Sequence, residues 1–273
     1  MNLAAEQKLQ ALLTEDVGFG DITSQLLGEE KGTAYIMAKE DCVLSGTEYA
    51  KYLFELRRLH VNVLVSDGRK VKKGDRILEV SGIYAHIFEV ERTALNLLTR
   101  MSGIATETRK LVERVRKVNP SCKVAATRKT VYRFFDKEAA VTGGGDPHRF
   151  RLDDMILLKD NHVRILGIEE AVKRAKKVSF SKKVEIEVSS REDAVKAAEC
   201  GADIVMLDNM DAQKTKETVE KVKMVNPHVL IEASGNITKE NIEEYAEAGV
   251  DVISLGVLTH SVRAVNMSLE VDL

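Results

Sequence analysis

Six short apolar runs recur along the second half of this chain, and their rhythm limits the fold more than any other feature. They occupy residues 124–127, 155–158, 184–188, 204–207, 229–232 and 252–255, with helical spacing between them. Strand–helix units of about 20 to 30 residues mean parallel strands, because each return crossover needs its own helix. The runs are apolar throughout, as in Ile204-Val205-Met206-Leu207, so both faces are covered. A (β/α) barrel and a doubly wound sheet both satisfy this pattern. The intervening helices have readable ends: Ser190 precedes Arg191-Glu192-Asp193 and Gly201 closes that segment. Asp211 is placed to cap a helix running to Asn226-Pro227, and Thr238 one that ends near Gly249.

The first part of the chain has a different pattern. Residues 33–46 and 61–90 alternate polar with apolar side chains and carry Asp-Gly and Lys-Gly turns, which predicts an antiparallel sheet. A long helix is expected from about Val90 to Val118, with Leu95, Leu98, Ile104, Leu111, Val112 and Val115 near helical spacing. Residues 1–108 therefore read as one domain and 109–263 as a second. The tail, about 264–273, alternates again and is expected to return to the first. At 273 residues the chain has room for both cores.

Composition removes several functions. With 31% charged residues and a net charge of −2, the chain lacks the basic surplus of a general nucleic-acid binder. Any positive charge with a task must be concentrated locally. Cys42, Cys122 and Cys200 are an odd number without C-x-x-C spacing, which fits reduced thiols in a cytoplasmic protein rather than a disulfide framework or zinc site. No apolar stretch reaches the length of a bilayer span, and Met1-Asn2-Leu3 begins an amphipathic helix rather than a signal peptide.

Chemistry collects where the parallel strands end, which is where a barrel carries its active site. Successive tips are Arg128-Lys129, Lys159-Asp160-Asn161, Glu187, Asp208-Asn209, Ser234-Gly235-Asn236 and Ser254-Leu255-Gly256. The last two suit a phosphate held on backbone N–H groups, since glycine permits close approach. Glu187 and Asp208, on adjacent strands, could bind Mg²⁺ through water, stabilise developing positive charge, or simply neutralise Lys129 and Lys159. Glu185 points to the same face but lies deeper, in a structural position. Between the first two strands, residues 141–154 carry three glycines and then Pro147-His148-Arg149, an arm bringing two more donors. His148 reads as a base or, better, as a positioning donor. There is no His/Cys metal cluster, nucleophilic triad or Gly-x-Gly-x-x-Gly. Cations, carboxylates and a phosphate cradle in one cavity suit a phosphorylated substrate, a carboxylated one, and a reaction generating positive charge between them.

These residues resemble the quinolinate phosphoribosyltransferase family over nearly the whole chain. The likeness is carried by EDVGFGDIT (15–23), ERTALNLLTRMSGIAT (91–106), TRKT (127–130), GGGDPHR (143–149), LLKDNH (157–162), VEIEV (184–188), DIVMLDNM (203–210), SGNIT (234–238) and SLGVLTHS (254–261). It implies an α/β sandwich domain followed by an open seven-stranded α/β barrel of TIM-barrel type. It further implies a homodimer, or a higher assembly of dimers, in which each barrel mouth is completed by the partner's first domain. The implied reaction joins quinolinate to phosphoribosyl pyrophosphate with Mg²⁺, giving nicotinate mononucleotide, CO2 and pyrophosphate. By the same resemblance Arg128, Lys129, His148, Arg149 and Lys159 hold the two carboxylates, and Arg92 reaches in from the other subunit. Lys129, Glu187 and Asp208 are the implied catalytic groups, the two acids facing ribose and metal. Ser234, Gly235, Asn236, Ser254 and Gly256 are assigned to the phosphate end, with His260 beside them.

The chain departs from the family pattern at three places beside the aromatic-acid pocket. Val131-Tyr132-Arg133 stands where a Pro-Gly turn is usual, Asp146-Pro147 replaces the Asn before His-Arg, and Arg151 replaces a Gly. Three other readings compete. A paralogous phosphoribosyltransferase for another aromatic acid is disfavoured by the intact Lys-Asp-Asn-His at 159–162. A phosphate-binding barrel lyase or isomerase would use Lys159 as a Schiff-base amine, against the crowd of cations around it. A sensor without activity would not need Glu187 and Asp208.

Overall fold

Alternation in the first hundred residues folds into an antiparallel sheet. The computed structural model describes Met1 and residues 3–272; Asn2 of the expected first helix and Leu273 of the expected returning tail lie outside it. The chain divides into two units. In the first, α1 (Leu3–Val17) buries Ala5, Leu9 and Leu13, spaced four apart on one helical face. There follow β1 (Lys31–Ala38), β2 (Cys42–Val43), α2 (Thr47–Glu55), β3 (His60–Val63), β4 (Lys70–Val71) and β5 (Arg76–Ile83). Ala34, Ile36 and Ala38 alternate inward along β1 and are fully buried, the mark of a strand with one face on a core. A strand at Met267–Val271 pairs antiparallel with β1, β1 with β5, and β5 with β3. Helix α2 packs on β3, β5 and α1, which makes a two-layer α/β sandwich.

Helix α3 (Tyr84–Val118) is 35 residues long and begins at Tyr84 rather than near Val90. The stretch after β5, expected as further strand, is helical because Ile87, Val90, Ala94, Leu98 and Met101 recur at spacings of three and four and are all buried. Residues up to Arg109 belong to the first unit and Lys110 onward to the second.

Residues 134–144, placed by the sequence reading in the second domain, belong to the first unit. They include most of α4 (Arg133–Thr142). Its fully buried Asp136 accepts two hydrogen bonds from Arg100, Nε at 2.8 Å and Nη2 at 2.7 Å. The Tyr49 ring meets Phe135 edge-on at 5.0 Å and its hydroxyl donates to Glu138. Arg109 donates to the Gly143 and Thr142 carbonyls at the end of the helix. Contacts distant in sequence hold this helix, so local pattern gave no sign of its location.

The second unit carries the parallel strands. Its elements are β6 (Lys123–Ala126), β7 (Ile156–Leu158), α5 (Asp160–Leu166), α6 (Ile168–Val178), β8 (Val184–Val188), α7 (Arg191–Glu199), β9 (Ile204–Asp208), α8 (Ala212–Val225), β10 (Leu230–Ser234), α9 (Ile242–Glu247), β11 (Val252–Leu255) and α10 (Val257–His260). The sheet order is β6-β11-β10-β9-β8-β7, every pair parallel. This is an open α/β barrel. Six strands rather than seven are present among the described residues. The seventh place is a single parallel bridge between Ala125 and Asp146 on the outer edge of β6. Pro147 follows at once and has no N–H to extend the pairing.

Period-two alternation sorts the barrel side chains. Val184, Ile186 and Val188 of β8, with Val205, Leu207, Ile231, Ala233, Ile253 and Leu255, join Val172, Ala197, Val222 and Leu111 of the helices in one buried core. The intervening positions, Glu185, Glu187, Met206, Asp208, Glu232, Ser234 and Ser254, turn to the other face. Two of the three expected caps are present: Ser190 accepts from the Asp193 N–H at 3.1 Å and Asp211 from the Lys214 N–H at 2.8 Å. Thr238 does not cap a helix. It accepts from the Glu240 N–H in a local turn, and the helix begins only at Ile242.

Candidate active site

The carboxyl ends of β6 to β11 open onto one cavity of about 580 Å³, lined entirely by second-unit residues. Its basic wall is Arg128, Lys129, His148, Arg149 and Lys159. These come from the tips of β6 and β7 and from the arm between them, so the cations flank the open seam of the barrel. Glu187 and Asp208 line it from β8 and β9, and Ser234, Gly235, Asn236 and Ser254 from β10 and β11. Gly256 and His260 stand just behind that lining. A Cβ built on Gly256 would come within 2.8 Å of the His260 ring and 3.4 Å of Lys129 Cδ, so glycine here lets Lys129 pass close to the backbone. Arg92 is exposed on α3 in the first unit and is not part of the lining.

Charge in the cavity is only partly balanced. Lys159 Nζ donates to Glu187 Oε2 at 2.6 Å. Burial, and then the neighbouring Glu187, push the Asp208 carboxyl above its ordinary range. The Asn209 amide offsets part of this by donating to Asp208 Oδ2 at 2.7 Å. Arg149 is held below the usual guanidinium range, first by burial and then by Arg128. Two like charges side by side in a half-buried wall suit an incoming anion. Arg128 Nε and Ser254 Oγ are buried with no protein partner among the described residues, so each has hydrogen-bonding capacity to give.

His148 is held from beneath. Its Nε2 lies 3.1 Å from Glu232 Oε2 and 3.4 Å from Glu185 Oε2. Burial alone would push the imidazole down, but hydrogen bonds with Glu185 and Glu232 raise it to about 10, so this group retains a proton near neutrality. The Arg149 N–H donates to Nδ1 at 2.8 Å and requires that nitrogen bare. The extra proton therefore belongs on the Nε2 side, shared with Glu185, whose carboxyl burial pushes up. Both ring nitrogens are thus committed within the protein, and His148 serves as a wall support rather than a base.

Backbone strain concentrates here. Of the four non-glycine residues with positive φ among those described, His148 (51°), Asn209 (57°) and Asn236 (53°) line the cavity; only Arg58 lies elsewhere. Such conformations cost on the order of 1–3 kcal/mol and persist where surroundings enforce them. Gly235, at φ 82°, is a requirement of the same turn: a Cβ there would fall 2.3 Å from Asn209 Oδ1.

The sequence reading did not select Glu232, Thr127, Leu157 or Met206, and took Asn209 only as a strand tip; all five line the cavity. A signal was present for Glu232. It precedes Ser234 by two residues, as Glu185 precedes Glu187, and so must share its face.

Two groups of acids bear on metal binding. His148, Glu185 and Glu232 offer ligand atoms within 4.8 Å of one another, but both acids are almost fully buried, and Glu185 lies outside the cavity lining and beside Arg149. Glu187 and Asp208 line the cavity with oxygen donors only, the set a hard divalent cation takes. Asp208 is raised first by burial and then by Glu187, and a hard cation between the two acids would offset the second of these.

Residues 21–102 match the N-terminal domain of quinolinate phosphoribosyl transferase and residues 104–270 match its C-terminal domain. The chain belongs to the quinolinate phosphoribosyltransferase family. Among its relatives, the probable nicotinate-nucleotide pyrophosphorylase [carboxylating] of Methanothermobacter thermautotrophicus is 46% identical, over 96% of this chain and 97% of that protein. The human nicotinate-nucleotide pyrophosphorylase [carboxylating] is 36% identical, over 94% and 88%. The solved nicotinate-nucleotide pyrophosphorylase from Francisella tularensis superposes with a TM-score of 0.91 at 36% identity, covering 98% of this chain and 96% of that one. This family likeness agrees with the cavity: TRKT, GGGDPHR, LLKDNH, VEIEV, LDN and SGN each contribute lining residues.

Proposed function

We propose that the chain is a carboxylating nicotinate-nucleotide pyrophosphorylase, a pentosyltransferase of NAD biosynthesis that converts quinolinate and phosphoribosyl pyrophosphate to nicotinate mononucleotide, pyrophosphate and CO2. The observation that carries this reading is the basic wall at the seam, Arg128, Lys129 and Arg149 with Lys159, facing the same cavity as Glu187 and Asp208. A pyridine with two adjacent carboxylates matches the basic wall, since guanidinium groups bind carboxylates bidentately.

In this assignment Ser234, Gly235, Asn236 and Ser254 take the 5′-phosphate, aided by Gly256 and His260. Glu187 and Asp208 lie at the ribose, where departure of pyrophosphate leaves an oxocarbenium-like centre that carboxylates stabilise. The pyridine nitrogen then attacks C1′ and becomes cationic. The C2–carboxylate bond breaks, its electron pair is drawn toward that nitrogen, CO2 leaves, and C2 takes a proton. Lys129, reaching from the β6 tip past Gly256 and near enough to Asp208 to lower its carboxyl, is assigned to the anionic groups of the substrates. Magnesium on Glu187 and Asp208, directly or through water, would supply positive charge for the departing pyrophosphate.

Arg92, which is not among this cavity's lining residues, is assigned to the cavity of a second copy, which makes the working form a homodimer or an assembly of dimers. Burial pushes the Cys42 thiol up to about 11 and the Cys122 thiol up to about 12, so both stay protonated and inert, in keeping with a cytoplasmic enzyme.

The deciding assay follows pyrophosphate and CO2 release from phosphoribosyl pyrophosphate with quinolinate or nicotinate as acceptor. Equal release of both products with quinolinate, and none with nicotinate, is expected. Turnover of nicotinate alone, or of neither acid, would overturn the assignment.

A further inference from the structure

We propose that Glu185 and Glu232 are positioning residues for the aromatic-acid end of the site, acting through the His148 ring to fix the main chain of Arg149. The inference rests on the reading of the basic wall as the quinolinate grip. Glu185 and Glu232 are 0% and 1% exposed; Glu232 Oε1 and both Glu185 oxygens lack a hydrogen-bond partner among the described residues, so Glu232 holds the ring by a hydrogen bond and Glu185 by charge at 3.4 Å. Buried carboxylates are unfavourable in a barrel interior unless they hold something in place, and an apolar pair of similar size would be the more stable filling. What they meet is one atom, His148 Nε2.

His148 transmits that grip. Its backbone sits at φ 51°, an uncommon conformation for any residue but glycine. Its Nδ1 accepts the Arg149 N–H at 2.8 Å, and its own N–H donates to Asp146 Oδ1 at 2.8 Å. Asp146 is itself fastened to β6: its carbonyl accepts the Ala126 N–H, its N–H donates to Val124 and its carboxylate pairs with Lys123. The arm is therefore clamped twice. Asp146 ties it to the sheet edge, and the two buried acids pin the imidazole from within the barrel. Arg149 is the next residue, and it lines the cavity.

The test is steady-state kinetics of Glu232→Gln and Glu185→Gln, with each substrate varied in turn, and calorimetric titration of quinolinate alone. Glutamine keeps shape but weakens the hold on the ring. A rise of roughly tenfold or more in the quinolinate KM and Kd is expected, with the phosphoribosyl pyrophosphate KM within about twofold and the Tm not lowered. Asp146→Ala, which loosens the other clamp from outside the core, should give the same one-sided effect. Unchanged quinolinate binding in the three variants, or equal rises for both substrates, would overturn the proposal. An inactive wild-type enzyme would instead strike at the functional reading beneath it. Should either glutamine variant fail to fold, the Asp146→Ala result decides alone.

Discussion

Lys159 Nζ and Glu187 Oε2 lie 2.6 Å apart across the β7 and β8 tips, so one of the site's cations is already engaged by one of its acids. Lys159 is half exposed, and a surface-accessible pair contributes only about 0–1 kcal/mol to stability. Its value is in binding. Lys159→Met should leave the Tm within about 2 °C while raising the quinolinate KM roughly 10- to 100-fold, the effect of losing one charge-assisted hydrogen bond. Kinetics with quinolinate varied, beside a thermal melt, read both; an unchanged KM would remove Lys159 from the grip.

Asp208 should trade stability for function. Burial, followed by Glu187, raises its carboxyl in the folded state. A carboxyl raised above its unfolded value costs nothing below the ordinary carboxylate range and destabilises the fold as pH rises through the folded value. Asp208→Asn is therefore expected to lose roughly 100-fold or more in turnover, yet to melt above wild type at pH 7.5, with the gap closing at an acid pH within the ordinary carboxylate range. Melts at the two pH values check the sign, and a variant less stable at pH 7.5 would contradict it.

Asn209 links the carboxylate to the Ser234-Gly235-Asn236 turn: its N–H donates to the Ser234 carbonyl at 2.9 Å and its amide to Asp208. Asn209→Gly relieves the positive φ but drops the amide, whereas Asn209→Ala drops the amide and keeps the strain. Both should lose about tenfold in kcat, with alanine melting about 2–4 °C below glycine. Full activity in the glycine variant would show that the amide does not hold Asp208.

Gly235→Ala should act on the other substrate. The added methyl falls 2.3 Å from Asn209 Oδ1 and 3.1 Å from its backbone nitrogen, in a turn at φ 82°. The phosphoribosyl pyrophosphate KM is expected to rise at least tenfold, with quinolinate binding alone unaltered, as calorimetry with each substrate would show.

Arg92→Ala and Lys159→Ala, each weak at limiting quinolinate, should regain part of the activity there when mixed and allowed to exchange subunits. A mixed dimer of the two would have one cavity carrying both defects and one carrying neither. No recovery in a verified mixed dimer would place Arg92 outside the neighbour's site.

Much of this was legible because strand ends announce themselves. Arg128-Lys129, Lys159, Glu187, Asp208 and Ser234-Gly235 each interrupt an apolar run, and all reach the cavity. Glu232 was hidden because it lies within its strand, where Ile231 and Ala233 on either side face the helices. Asn209 was hidden for another reason: its role is conformational, and a left-handed backbone leaves no periodicity. The placement of residues 134–144 was not written locally at all, since Arg100, Tyr49 and Arg109 determine it from far along the chain.

The inward file of acids and serines has a bearing on how the protein matures. Along β8 valine or isoleucine alternates strictly with glutamate, and on β10 Ile231 and Ala233 flank Glu232. Slipping either strand by one residue would drive a carboxylate among the helices and leave a valine or isoleucine facing the chamber. Such a misfolded species would be both unstable and inert, so the groups that serve turnover also act as a proofreading device during assembly.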